Sequence, residues 1–196
     1  MIVAPAGALI VAIDGVDGSG KSRLADALAA ALGADGTPVT TVHVDDFRRP
    51  LELTGLEPKA ESDAYYDRYY DFAAVGQALA SAARAGTTIL EGVMLLRAPL
   101  PANSWLVVLE VTAEEARRRI LARDQAKGRS PEEVSRRIDR RYFPAQARYR
   151  AAHDPVGRAH ALIDNEDWRR PRLVRRTTDL PPRLAAALAD VLGAAA

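Results

Sequence analysis

The residues Gly15-Val16-Asp17-Gly18-Ser19-Gly20-Lys21-Ser22 put glycines, a lysine and a hydroxyl at the spacing G-x-x-x-x-G-K-[ST]. Glycines let successive backbone N–H groups turn inward around phosphate oxygens, a lysine at this position reaches the β- and γ-phosphates, and the following hydroxyl can ligate Mg²⁺. Gly15, Asp17, Gly18, Ser19, Gly20, Lys21, Ser22 and Arg23 are therefore the candidate nucleotide-binding residues, and Mg-ATP is the ligand that suits them. Two acidic positions could join them. Asp45-Asp46 follow the apolar run ending at Val44, and Glu91 follows Thr87–Leu90. A hydroxyl at Ser22 and carboxylates at Asp45 and Glu91 are the groups that hold Mg²⁺ against a triphosphate, and a carboxylate such as Asp45 can also take a proton from an attacking hydroxyl. Alone, the Asp pair would be an ordinary polar turn; next to a phosphate loop it reads as chemistry.

These groups can meet only if the chain builds a parallel sheet. Apolar runs of strand length recur at Leu9–Ile13, Val39–Val44, Thr87–Leu90, Trp105–Val111 and Ala159–Ile163. Helical patterns lie between them over Ala64–Arg84, Ala113–Gln125 and Pro131–Ala152, the last with Ser130 as N-cap and Pro131 at the first helical position. A helix also follows the phosphate loop, from Arg23 to Leu32 and ending at Gly33, and an amphipathic one is expected over Pro181–Leu192. Short continuous apolar strands alternating with helices predict a parallel sheet covered on both faces, with ligands beyond the carboxyl ends of the strands. The first three strands deliver the phosphate loop, Asp45 and Glu91 to that end.

Two further clusters carry information. On one helix, Asp63, Asp67 and Asp71 would share a face at i, i+4 and i+8, as would Tyr65, Tyr69 and Phe72. The acids suit a hydroxyl-rich acceptor and the aromatics suit a core; Asp67 is the candidate acceptor ligand. The segment Arg117 to Arg150 holds eleven arginines and reads as a helix, a turn at Gly128 and a second helix from Ser130. An arginine-rich hairpin placed there could close over ATP, offset charge on a transferring phosphoryl group and exclude water. Arg119, Arg123 and Arg129 are its candidate functional side chains, with Arg117 and Arg118 read as surface residues. His43 lies between Val42 and Val44 and reads as a core histidine; none of the three histidines is given a catalytic role.

Composition narrows the classes. The chain has 196 residues, 48% of them hydrophobic and 27% charged, with a net charge of +1, which is sufficient for a core in one domain spanning 1–196. The absence of cysteine excludes thiolate nucleophiles, disulfides and Cys-based zinc sites. No stretch approaches the roughly 20 apolar residues of a membrane span, and Met1–Ala12 reads as leading into the first strand rather than as a targeting segment, so a cytoplasmic protein without a membrane partner is expected. The basic segment lacks aromatic interleaving or a nucleic-acid motif, and no nucleic-acid partner is expected. A homo-oligomer is left open.

Taken together, GVDGSGKS, VHVDDF, the Asp67 region of YYDRYYDF, ILEGV and RRILARDQAKGRS, with AHALIDN as a weaker last piece, resemble the uridine kinase and phosphoribulokinase group of P-loop kinases from about Leu9 to Asn165. The resemblance implies an α/β P-loop NTPase three-layer sandwich with a five-stranded parallel sheet and a helical lid at about 117–150. It implies Asp45 as general base and metal-associated carboxylate, Glu91 as a second metal-side carboxylate, Asp67 as a ligand of acceptor hydroxyls, and Arg119, Arg123 and Arg129 as lid or substrate arginines. The sequence departs from uridine kinases where Ala83-Arg84-Ala85-Gly86 runs almost directly into Thr87, with no insertion to read a pyrimidine. The expected activity is ATP-dependent phosphorylation of a hydroxyl on a small metabolite, a nucleoside or a sugar- or vitamin-like alcohol. A nucleoside monophosphate kinase is the near alternative; it would need more arginines between the second and third strands than Arg48, Arg49, Arg68 and Arg84 with Lys59. A regulatory P-loop NTPase is the alternative from another class, and Ile163-Asp164-Asn165-Glu166 lacks its guanine-reading N-K-x-D element.

Overall fold

In the computed structural model, residues 8–84 and 86–193 are described; the expected leading segment before residue 8 lies outside them. Six strands form one sheet in the order β2-β3-β1-β4-β5-β6: β1 Ile10–Gly15, β2 Val39–His43, β3 Thr87–Glu91, β4 Ser104–Glu110, β5 Ala161–Asp164 and β6 Arg172–Arg176. The first five are parallel, as expected, and β6 adds an antiparallel edge that the sequence reading did not include. Arg172, Arg175 and Arg176 on this exposed strand hid it, because a charged edge strand shows no apolar run and needs none.

Central β1 alternates its side chains between two cores. Ile10 and Ala12 face a core shared with α2 (Pro58–Arg68), α3 (Phe72–Ala82) and α6 (Phe143–His153), whereas Val11 and Ile13 face α1 (Lys21–Leu32) and α8 (Pro182–Gly193). On α1, Leu24, Leu28 and Leu32 recur every fourth residue and are buried against the sheet; each such burial stabilises by roughly 1.5–3 kcal/mol. The chain leaves β1 toward α1 and β2 on one side of the sheet and later returns on its other side through β4, so the crevice at the carboxyl end of β1 is the switch point.

Two helical expectations are corrected. The predicted helix 64–84 is two helices, α2 and α3, because the backbone at Tyr69–Asp71 pairs with another segment. Arg49 N–H donates to the Tyr69 carbonyl at 2.8 Å and Asp71 N–H to the Phe47 carbonyl at 2.9 Å. Asp71 then caps α3, accepting from Ala74 N–H at 3.0 Å, so it does not extend a face with Asp63 and Asp67. The predicted helix 131–152 is α5 (Pro131–Arg137) and α6 joined through a π-turn at Ile138–Tyr142. Ser130 caps α5 as expected, accepting from Glu133 N–H at 3.2 Å. The expected helix α4, Ala113–Gln125, matches, as does the turn at Gly128 with φ 84°.

Beneath this helical segment sits Glu61 of α2, 0% exposed, accepting from Arg136 at 2.9 and 3.2 Å and from Arg141, with Arg140 at 3.7 Å. One buried carboxylate thus ties α2 to both α5 and the π-turn. Among the described residues no helix is long and apolar enough to cross a membrane.

Candidate active site

The phosphate loop closes at the carboxyl end of β1, and its glycines are required by contact as well as by φ. Gly18 (φ 79°) would bring a Cβ within 2.7 Å of the Ala116 carbonyl, and Gly20 (φ 95°) would bring one within 2.5 Å of Asn165 Nδ2. That amide donates to the Ser19 carbonyl at 2.6 Å, so the loop following β5 holds the phosphate loop in place. The residues fit a bound triphosphate. Helix α1 starts with neither a capping side chain nor an acid in its first turn, leaving its N-terminal N–H groups for an anion, and the buried Ser19 Oγ has no partner among the described residues. Lys21 Nζ rests on the Val16 carbonyl at 2.7 Å, folded over the loop it would serve.

A cleft of about 260 Å³ opens over the loop, lined by Asp17, Lys21, Ser22, Arg23, Asp45, Glu91, Arg119 and Arg123 among others. Ser22 Oγ donates to Glu91 Oε2 at 3.3 Å, bringing together the hydroxyl and one carboxylate expected at the metal. Among the described residues no three His, Asp or Glu gather into a metal cage. A hydroxyl and one or two carboxylates suit Mg²⁺, which takes most of its ligands from phosphates and water.

Asp45 sits in the 3₁₀ turn that ends β2, with its side chain 59% exposed. Tyr70 Oη donates to its Oδ1 at 3.1 Å and Arg48 pairs with its Oδ2 at 3.3 Å. The α2–α3 break and its pairing with Phe47–Arg49 aim Tyr70 at this carboxylate. His43, expected in the core, is instead half-exposed, with Nδ1 2.8 Å from Glu91 Oε1. That hydrogen bond raises its pKa, against a smaller effect of burial. It fixes the second oxygen of Glu91 while the first faces Ser22.

The candidate arginines divide. Arg119 of α4 is tied to the loop: it donates to the carbonyls of Gly18 at 3.3 Å, Asn165 at 2.8 Å and Glu166 at 2.9 Å, and to Glu115 at 2.6 Å. Arg118 first, then Arg119, hold the Glu115 carboxyl down to about 2. Arg123 reaches the cleft while donating to buried Asp124 at 2.7 Å. Arg129 is on the other side of Asp124, at 3.3 Å, and does not line the cleft. Neither does Asp67, which pairs with Arg148 at 3.1 Å on an exposed face.

Behind the loop lies a second, larger cavity of about 720 Å³, sharing Gly20, Arg23 and Arg119 with the first and continuing past Asn165 and Trp168 along the alanine face of α1 to α8. The Trp168 ring carries the guanidinium groups of Arg23, 4.1 Å from its centroid, and Arg169, at 4.5 Å. Arg118, read as a surface residue, is exposed at the rim of this cavity.

The sequence reading missed Tyr70 and Trp168 as site residues and Gln146 as the support behind Asp17. Tyr70 was one aromatic among five, and Gln146, whose Nε2 donates to Asp17 Oδ2 at 2.6 Å, is a lone amide in a basic helix with no local signal. Trp168 stands in the arginine-rich stretch Trp168-Arg169-Arg170-Pro171-Arg172, which carries no motif.

No family model matches the chain. A cytidylate kinase of Pyrobaculum arsenaticum is 29% identical over 150 residues, covering 74% of this chain and 75% of the relative. Among solved structures, a provisionally assigned fructose transport system kinase from Silicibacter sp. TM1040 is 26% identical with a TM-score of 0.54, covering 76% of this chain and 86% of the other. The fold is the α/β architecture of P-loop kinases, and the relatives found are kinases of that type. Neither is named as a uridine kinase or phosphoribulokinase, so the likeness stands at the level of the P-loop kinases.

Proposed function

We propose that the protein is an ATP-dependent kinase that transfers the γ-phosphoryl group to a hydroxyl of a small, uncharged metabolite such as a nucleoside or a sugar-like alcohol. The observation that carries this reading is the convergence of Lys21, Ser22, Glu91, Asp45 and Arg123 in one cleft at the sheet's switch point. ATP lies with its phosphates on the loop and its base in the adjoining cavity against Trp168. Ser22, Glu91 and Asp45 are the residues that would hold Mg²⁺, which would supply charge neutralisation on the phosphates. Asp45 orients the acceptor hydroxyl and takes its proton. The acceptor oxygen bonds to the γ-phosphorus as the bond from that phosphorus to the β–γ bridging oxygen breaks, and ADP leaves with the bridging oxygen. Lys21 and Arg123 offset the charge, and Arg119 holds the helical segment 117–150 to the loop as a lid within a single kinase unit. Asp67 and Arg129, bound in ion pairs outside the cleft, serve the fold in this reading.

A neutral acceptor is supported by where the cations go: Arg48 pairs with Asp45, Arg136 and Arg141 with Glu61, and Arg148 with Asp63 and Asp67. The similarity to a cytidylate kinase favours a second reading, a monophosphate acceptor. A coupled ADP-release assay with Mg-ATP against nucleosides, nucleoside monophosphates, pantothenate and simple sugars separates them. Stimulation by a neutral alcohol is expected. Stimulation by monophosphates alone would establish the second reading, and no stimulation by any acceptor would leave a regulatory NTPase.

A further inference from the structure

We infer that His43 is a positioning residue that holds Glu91 toward the metal site beside Ser22. The inference rests on the Mg-nucleotide half of the reading above and is independent of the acceptor.

Strands β2 and β3 run parallel with His43 directly opposite Glu91, so the two side chains leave the sheet side by side on one face. Val39, on that face of β2, packs with α1, and Ser22 in the first turn of α1 completes the row. Just beyond the pair the two strand ends are in tight contact: a Cβ at Gly92 would lie 2.5 Å from Val44 Cβ. The backbone therefore fixes where imidazole and carboxylate meet, with Nδ1 2.8 Å from Oε1. An ionised carboxylate only accepts hydrogen bonds, which puts the hydrogen on Nδ1.

Glu91 is only 5% exposed, yet among the described residues no lysine or arginine forms an ion pair with it. Its two oxygens meet the Ser22 hydroxyl, at 3.3 Å, and His43. A carboxylate this buried is expensive to keep charged with two such partners. It lines the cleft with Lys21, Ser22 and Asp45, and a divalent cation on that side would complete its surroundings. The two oxygens thus divide: one faces Ser22 and the cleft, and the other is tethered from the neighbouring strand. A glutamate side chain has three torsions, so the tether decides how often the first oxygen faces the metal. Hydrogen-bond partners behind metal ligands change metal affinity by about 10–100-fold when they are removed. A histidine that only joined two strand ends would leave that affinity untouched.

The test uses the full chain with ADP and Mn²⁺ as the spectroscopic probe for Mg²⁺. Electron paramagnetic resonance reads the Mn²⁺ affinity of the ADP complex, and calorimetry in EDTA reads the affinity for ADP alone. His43→Leu and His43→Asn are close in shape, but only the asparagine amide can donate from near the Nδ1 position. His43→Leu should weaken Mn²⁺ about 10-fold with ADP affinity in EDTA near wild type, and His43→Asn should recover Mn²⁺ affinity to within about three-fold. In a Glu91→Gln background, where the carboxylate is already gone, His43→Leu should change Mn²⁺ affinity less than about two-fold. Unchanged Mn²⁺ affinity in His43→Leu, equal losses in the Leu and Asn variants, a parallel loss of ADP affinity in EDTA, or a full further loss in the Glu91→Gln background would overturn the inference. Failure of the wild-type chain to bind Mn²⁺ with ADP would overturn the nucleotide reading together with it. The expected Mn²⁺ pattern without ADP release from ATP on any acceptor would overturn the kinase reading alone.

Discussion

The phosphate loop and the helical segment that covers it are built on different principles. The loop is a backbone structure: its shape comes from glycines at φ 79° and 95°, from the Asn165 amide on a carbonyl, and from a helix terminus with no competing side chain. The covering segment is a side-chain structure, in which arginines are matched to acids: Arg119 with Glu115, Arg123 and Arg129 with Asp124, Arg136 and Arg141 with Glu61. A backbone-built site is local and is spelled by a short motif. A charge-matched one mixes neighbours, such as Arg123 with Asp124, and partners as distant as Glu61 from Arg136 and Arg141, so an arginine count there says little about which cations face the ligand.

The largest effect that should sharpen this contrast is chemical. Asp45→Asn should lower turnover by about 10²–10⁴-fold while nucleotide affinity, measured by titration, stays near wild type, since binding belongs to the loop and proton transfer to this carboxylate. Near-normal turnover would remove Asp45 from the mechanism. Next comes the covering segment. Glu61→Ala leaves Arg141, 7% exposed, and its neighbours without their anion and should destabilise the fold by about 3–5 kcal/mol in urea unfolding. A loss below about 1 kcal/mol would show that packing, and not charge, holds α2 to the π-turn.

Where strand β1 meets the loop the same electrostatics can be read through pH. Burial lifts the Asp14 carboxyl from 3.8 to about 6, against the Tyr149 and Gly15 hydrogen bonds and the charge of Lys21. The folded state therefore holds a proton that the unfolded chain loses between about pH 4 and 6. Stability falls with rising pH across that window and stays lower above it, by up to about 3 kcal/mol. Asp14→Asn should be the more stable protein at pH 8 and should lose that advantage near pH 4; a pH-independent difference would contradict the assigned cause. The smallest expected effect tests the second cavity. Trp168→Ala should raise the KM for ATP about 10-fold, the worth of one stacked aromatic contact, with kcat little changed.

Legibility followed these two principles. The phosphate loop, the five parallel strands and the delivery of Asp45 and Glu91 to one end of the sheet were readable because each depends on a few consecutive residues and on a topology that parallel strands enforce. The break between α2 and α3 was not, since the signal for it lies in backbone hydrogen bonds with Phe47 and Arg49, twenty or more residues away. Without the break, Asp63, Asp67 and Asp71 look like one acidic face; with it, Asp71 is a cap, Asp67 pairs with Arg148, and Tyr70 holds Asp45. Strand β6 was invisible for the opposite reason, being exposed along its whole length.

The amino-acid sequence by itself determined the five parallel strands, the helices α1 and α4 and the end of the sheet where phosphate chemistry would lie, because glycine stereochemistry, apolar periodicity and helix capping act over a few residues. Only the tertiary structure decided which charges are spent on one another and which are left to a ligand. That distribution placed Asp17 against Gln146, Glu91 between Ser22 and His43, and Arg129 outside the cleft, since the strength of a charge or hydrogen bond depends on its burial and on partners that only folding brings within reach.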